Sequence, residues 1–303
     1  MKKTLQKYFS FFLSVFVRSI LFLRYKVELV GLNIAIKEHG KNGLLILPNH
    51  PGYTDPVLIF SQIWPTFQPR PLSWEGNWKS PAMIPFLELV GAIPIPDLSR
   101  PSLDAREKMK TAITNIAKGL REGQNQILWP AGRIQREGID RLGGNSGVET
   151  ILREAPQTNL LLIRTEGLWG SRFGFGFNGK APGFTREGLI SLGWLMASFL
   201  FFMPKRNLKM YFQLVTPKEH SALDRAGLNR LMEDFFNPIR DPQPIRVPYH
   251  PFIPTLNESE RIDQPADIFD LGQFRPEVIK EVNHFLAEKL KRELEPAEQI
   301  PGK

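Results

Sequence analysis

His50 and Asp55 stand five positions apart in Pro48-Asn49-His50-Pro51-Gly52-Tyr53-Thr54-Asp55, a pairing suited to proton transfer. A general base needs an imidazole that titrates near neutrality and a partner that fixes its tautomer. A carboxylate five residues on, across a turn, can reach the ring nitrogen that a substrate does not use. The same residues allow a plainer reading, with Asp55 capping the next helix and His50 a hydrogen-bonded turn residue. One His and one Asp are too few for a metal site. The 303 residues include no cysteine, which removes thiolate nucleophiles, Cys-ligated zinc, iron–sulfur clusters and disulfides together, and makes a reducing compartment the plain expectation.

These two residues need elements to hold them. Residues 43–47 (GLLIL) read as a strand and 54–62 as a helix, so the pair falls where a rigid strand end opens into a turn, a common place for active groups in α/β proteins. Other β-type segments, 25–30, 92–96, 126–129, 159–164 and 208–215, alternate with helical patterns at 103–121, 145–154 and 224–235. That alternation predicts an α/β domain. Six prolines within 238–254 forbid a helix there and read as a wrapping loop or linker. Beyond them, residues 275–292 place Ile279, Val282, Phe285, Leu286 and Leu290 on one face of an amphipathic helix.

Charge is unevenly placed. The chain has 39 Lys and Arg against 31 Asp and Glu, a net +8. Residues 1–30 hold six basic groups against one acid, and residues 164–209 seven against two, while 257–303 hold seven against eleven. Each basic block collars an apolar run. The first run is 8–23 (YFSFFLSVFVRSILFL), and over 3–23 the polar residues Lys3, Lys7, Ser10, Ser14 and Arg18 recur at helical steps and form one stripe, with aromatics opposite. A spanning helix tolerates a central Arg poorly, whereas a helix lying in a membrane interface wants such a basic stripe; packing on the protein's own core is the alternative. Residues 189–203 (LISLGWLMASFLFFM) carry no charge, and as a helix would reach about 22 Å, short of the ~30 Å hydrocarbon core. They suit a dip into one leaflet, a greasy groove, or a buried core helix. Basic collars around apolar segments favour an anionic membrane surface over nucleic acid, which needs a basic face.

The motif NHPGYTD resembles the NHxxxxD signature of the glycerophospholipid acyltransferases, the lysophosphatidic acid and lysophospholipid acyltransferase family. Three further segments are similar to that family's later blocks, in the right order. Gly91-Ala92-Ile93-Pro94-Ile95-Pro96-Asp97 has Asp97 at the usual Arg position, with Arg100 the nearest substitute. Trp129-Pro130-Ala131-Gly132-Arg133-Ile134 resembles FPEGTR and its FPEGRI variant. Leu160 to Gly167 resembles the fourth block, with Leu162 in place of its proline. The resemblance covers about residues 20 to 215 and implies a central mixed sheet flanked by helices, of glycerol-phosphate acyltransferase type. The expected organisation is an interfacial helix over 1–24, an α/β domain over 25–237 with an apolar insertion at 189–203, and a Pro-rich linker and helical appendage over 238–303.

The activity so implied is transfer of a fatty acyl group from acyl-CoA or acyl carrier protein to a hydroxyl of a lysophospholipid or glycerol-phosphate lipid, at the cytoplasmic face of the membrane and without cofactor or metal. His50 would be the base and Asp55 its orienting acid. Asn49, Gly52, Gly132, Arg133 and Arg164 would bind substrate, with backbone N–H groups near Gly52 or Gly132 steadying the oxyanion and arginines suiting a phosphate. Leu142 to Gly147, opening helix 145–154, is either an anion-binding helix start or an ordinary capped turn. One departure stands out: Ala131 replaces the third-block glutamate, which leaves Glu137 or Glu75 to supply an acid, or else makes the chain a catalytically impaired lipid-binding or scaffold protein. A serine lipid hydrolase is the third class, and no G-x-S-x-G elbow is present.

Overall fold

The computed structural model describes residues 2–247 apart from 39, 41, 80, 82, 97–102, 198–204, 240 and 241. Seven strands, β1 (Tyr25–Val30), β2 (Leu44–Pro48), β3 (Arg70–Trp74), β4 (Ile93–Ile95), β5 (Gln126–Ile127), β6 (Asn159–Glu166) and β7 (Arg206–Val215), form one sheet in the order β1-β7-β6-β2-β5-β3-β4. All neighbours are parallel except β6 and β7, so the sheet is mixed. Around it lie helices α1 (Lys2–Phe22), α2 (Leu32–Glu38), α3 (Asp55–Phe67), α4 (Ile84–Leu89), α5 (Leu103–Arg121), α6 (Gly147–Glu154), α7 (Phe184–Ala197), α8 (Pro217–His220) and α9 (Arg225–Phe236). β3, absent from the expected strands although 70–74 reads as extended, has Pro69 and Pro71 flanking Arg70 and pairs with β5 through Arg70 and Pro71 and with β4 through Leu72 to Trp74.

The central strands are apolar throughout because both sheet faces are covered. Leu44 and Ile46 of β2 and Leu161 and Ile163 of β6 turn to one face, where α2, α3 and α4 pack. Leu45, Leu47, Leu160 and Leu162 turn to the other, against α5, α6 and α9. Each such fully buried side chain contributes about 1.5–3 kcal/mol.

Two residues of the polar stripe of helix α1, Ser14 and Arg18, lie toward α3. Ser14 is buried, and Arg18 donates from Nη2 and Nε to the carbonyl of Ser61 at 3.0 and 3.3 Å and from Nη2 to that of Gln62 at 3.3 Å. Both carbonyls belong to α3. Pro65 lies inside α3 and has no N–H, so Ser61, four residues earlier, loses its helical donor. The Arg18 guanidinium supplies the missing bond. With Ser14 and Arg18 turned toward α3, α1 presents Phe11, Phe12, Val15 and Phe16 outward, all exposed.

Helix α7 starts five residues before the apolar run that predicted it and exposes Leu189, Leu192 and Met196. Among the described residues, no helix is long and apolar enough to cross a membrane. Residues 242–247 of the Pro-rich stretch are bonded to the domain: Ile245 N–H donates to Trp169 O at 3.0 Å, and their carbonyls receive Arg206 (Ile245 O, 2.9 Å) and Arg24 (Val247 O, 2.7 Å). The chain divides into two contact units, Met1–Ile262 and Asp263–Lys303. Asp97, Arg100, residues 198–203, residues 248–254 and the expected helix 275–292 lie outside the described residues.

Candidate active site

β2 ends at Pro48 in the middle of the sheet, and the chain leaves it through a turn anchored on both sides. Asn49, 3% exposed, accepts the N–H of Thr165 at 2.8 Å and donates to its carbonyl at 3.2 Å, closing β2 onto β6. Its side chain therefore positions the strand end instead of facing a substrate, as the sequence reading had it. Gly52 is tight against the loop after β6: a Cβ there would meet the Phe173 carbonyl oxygen at 2.8 Å, and Tyr53 N–H donates to that same oxygen at 2.9 Å. The glycine is required by this close approach.

His50 and Asp55 are brought together. His50 Nδ1 lies 3.0 Å from Asp55 Oδ2. An ionised carboxylate only accepts, so Nδ1 carries the proton and Nε2 offers a lone pair. The His50 side chain is 16% exposed, and Nε2 has no protein partner among the described residues. Asp55, fully buried, receives a second donor: Trp129 Nε1 lies 3.2 Å from Oδ2. The register makes this possible, since β5 pairs with β2 (Ile127 beside Ile46) and delivers Trp129 to the same edge of the sheet, its ring centroid 5.6 Å from that of His50.

Burial alone would lower the pKa of His50; the Asp55 carboxylate, by charge and hydrogen bond, and Asp140, by charge, outweigh it and hold the imidazole above its ordinary 6.5. Burial pushes the Asp55 carboxyl up, against the opposing pull of His50 and Trp129. Asp140 had no place in the sequence reading. It is buried, accepts the His50 backbone N–H at Oδ1 (3.2 Å) and the Gln135 amide at Oδ2, and burial pushes it up to about 6.

The remaining expected residues divide. Gly132 is left-handed (φ 67°) and already donates its N–H to Trp129 O at 3.0 Å, so it shapes the turn and has no N–H to give an oxyanion. Arg133 follows it, exposed. Arg164 is not brought to the site. It shares the face of Leu160 and Leu162, where its guanidinium donates to Phe235 O at 2.8 Å, pairs with Glu166 at 2.9 Å and lies 4.3 Å from the Tyr211 ring. Ala131 packs against the apolar cluster of that face. Of its suggested substitutes, Glu137 pairs with Arg141 at 2.5 Å, and Glu75 follows β3 on the same sheet edge as His50, two strands away. The loop 142–147 does hold an anion, but the chain's own: Glu233 accepts from the Leu142 and Gly143 N–H groups at 2.5 and 3.3 Å.

The seven-stranded mixed sheet flanked by helices is an α/β fold like that of PlsC-type acyltransferases. One solved structure that shows the likeness is the 1-acyl-sn-glycerophosphate (LPA) acyltransferase PlsC from Thermotoga maritima: TM-score 0.52 and 13% identity, covering 78% of this chain and 80% of that one. At that identity the likeness is one of fold. No protein-family model matches the sequence, and no curated protein does.

Proposed function

We propose that this chain is an acyltransferase that moves a fatty acyl group from acyl-CoA or acyl carrier protein to a hydroxyl of a lysophospholipid or glycerol-phosphate lipid, working at the cytoplasmic face of a membrane. The observation that carries the reading is the buried Asp55 holding His50 by Nδ1 while Nε2 stays open at the sheet edge. Nε2 takes the hydroxyl proton as the acceptor oxygen attacks the thioester carbonyl; the tetrahedral intermediate collapses, the carbon–sulfur bond breaks, and the imidazolium returns its proton to the thiolate. Asp55 stabilises the imidazolium. The N–H of Gly52, which no described residue accepts, is the loop donor for the oxyanion, and exposed Arg133 is the cation for the acceptor phosphate. A hydrocarbon chain finds a shallow apolar groove between α1, α3 and α4, lined by Leu13, Val17, Val57, Phe60, Trp64 and Leu89, which begins two residues past Asp55. The outward aromatics of α1 and the apolar face of α7 are the surfaces for the leaflet.

The test is acyl transfer by purified protein from a labelled acyl thioester to a panel of lysolipids. His50→Ala is expected to abolish it and leave vesicle binding intact; full activity in His50→Ala would remove the assignment. A second reading, a lipid-binding or scaffold protein of the same fold, is favoured by Ala131, whose methyl group meets apolar neighbours where the resembling family has a carboxylate. Absence of labelled product with every acceptor, alongside lysolipid binding, would decide for it.

A further inference from the structure

We infer that Asp140 is a positioning residue for His50, a second carboxylate that grips the peptide of the base and brings a further negative charge to it. This rests on the reading of His50 as a base.

The grip is a closed circuit. His50 N–H donates to Asp140 Oδ1 at 3.2 Å, the Gln135 side chain donates to Oδ2, and Gln135 N–H donates back to the His50 carbonyl at 2.8 Å. Asn237, which caps α9, fixes Asp140 from behind, accepting its N–H at 2.8 Å and donating to its carbonyl at 2.8 Å. A neutral amide at position 140 would fill the same circuit, accepting from His50 and, with the Gln135 amide turned over, donating to it. A carboxylate is the costlier choice, being 2% exposed with no basic side chain paired to it among the described residues. What the carboxylate adds is charge. Of the charged groups on the elements around it, α3 contributes Asp55, α9 contributes Glu233, which is turned to the Leu142 and Gly143 amides, and the loop itself contributes exposed Arg133, Arg136 over the Phe175 ring, and Glu137 paired with Arg141. His50 is the titratable base that faces both Asp55 and Asp140.

Asp140→Asn isolates the charge. A unit charge hydrogen-bonded to the peptide of a histidine raises the imidazole pKa by on the order of 1 unit. The His50 ring, followed by nuclear magnetic resonance in ¹⁵N-histidine-labelled protein, should therefore titrate about 1 unit lower in Asp140→Asn, and the acid limb of kcat/KM for acyl transfer should move down by the same amount. A His50 pKa within about 0.2 units of wild type would overturn the inference. Should the variant not fold, the wild type decides: two coupled groups each report the other's titration, so the Asp140 carboxyl carbon must show a second step at the His50 pKa, and a single step overturns the inference. The ring titration needs no turnover, so inactive protein would count against the proposed acyl transfer while leaving the Asp140–His50 coupling measurable.

Discussion

Arg18 and Pro65 lie 47 positions apart, yet should behave as one thermodynamic unit. Arg18→Met keeps the apolar stem and deletes the guanidinium, leaving the Ser61 carbonyl without a donor, because Pro65 has no N–H to give it. Hydrogen bonds from a charged donor are worth about 1.5–3 kcal/mol; Arg18 as a whole is exposed, so the low end applies, about 1.5 kcal/mol. In a Pro65→Ala background the restored backbone N–H can bond Ser61 O in the ordinary helical way, and the remaining loss, from the Gln62 contact at 3.3 Å, falls to about 0.5 kcal/mol. The coupling is thus about 1 kcal/mol, within reach of a double-mutant cycle. Each kcal/mol moves the melting temperature of a domain of about 150–250 residues by about 2–4 °C. Thermal unfolding followed by circular dichroism should show Arg18→Met lowering Tm by about 5 °C in the natural chain and by about 1–2 °C in the Pro65→Ala background. Equal losses in the two backgrounds would refute the argument that the arginine answers the proline.

Other expectations follow from the site. Trp129→Phe keeps the ring and deletes the indole N–H; with Oδ1 of Asp55 already without a partner, the orienting carboxylate loses one of its two donors, and kcat should fall about tenfold with little change in KM. Gly52→Ala must push the Phe173 carbonyl away and break its bond to Tyr53, which should lower stability by about 1–3 kcal/mol and turnover more steeply, as thermal unfolding and steady-state kinetics on one preparation would report. Asp140 titrates at about 6 in the folded protein against an ordinary 3.8, so its favourable contribution is complete below pH 3.8 and is lost as pH rises through 6, by about 3 kcal/mol. Asp140→Asn should accordingly melt higher than wild type at pH 8, and the gap should close as pH falls toward 4.

Local pattern made β2, the turn at His50 and the start of α3 readable, because a strand buried on both faces and a Pro-flanked turn are written in consecutive residues. The partners of the pair were not readable in that way. Trp129 and Asp140 reach it from 74 and 90 positions away, through the pairing of β5 with β2 and a loop pinned by the end of α9. Arg164 shows the converse: the type suited phosphate, but alternation along β6 sends it to the face of α9, and an all-apolar strand does not reveal which face carries the site.

Two further departures share one cause. The pattern predicts a helix over 54–62, short of Pro65, and a stripe through Ser14 and Arg18 that suits a membrane interface, with packing on the protein's own core as the alternative. Each inference is sound for an isolated helix. Packed together, α3 runs through Pro65 to Phe67 and α1 turns its arginine onto α3, since the carbonyl that the proline orphans is the acceptor that the arginine needs. The consequence reaches the site. α1 is bonded directly to the helix whose first residue is Asp55, so its outward aromatics and the carboxylate that orients His50 belong to one packed unit. The surface that α1 is proposed to present to lipid is thereby held in fixed register with the dyad, and removing residues 1–23 would expose the apolar side of α3 and strip the Ser61 carbonyl as well as deleting the proposed membrane contact.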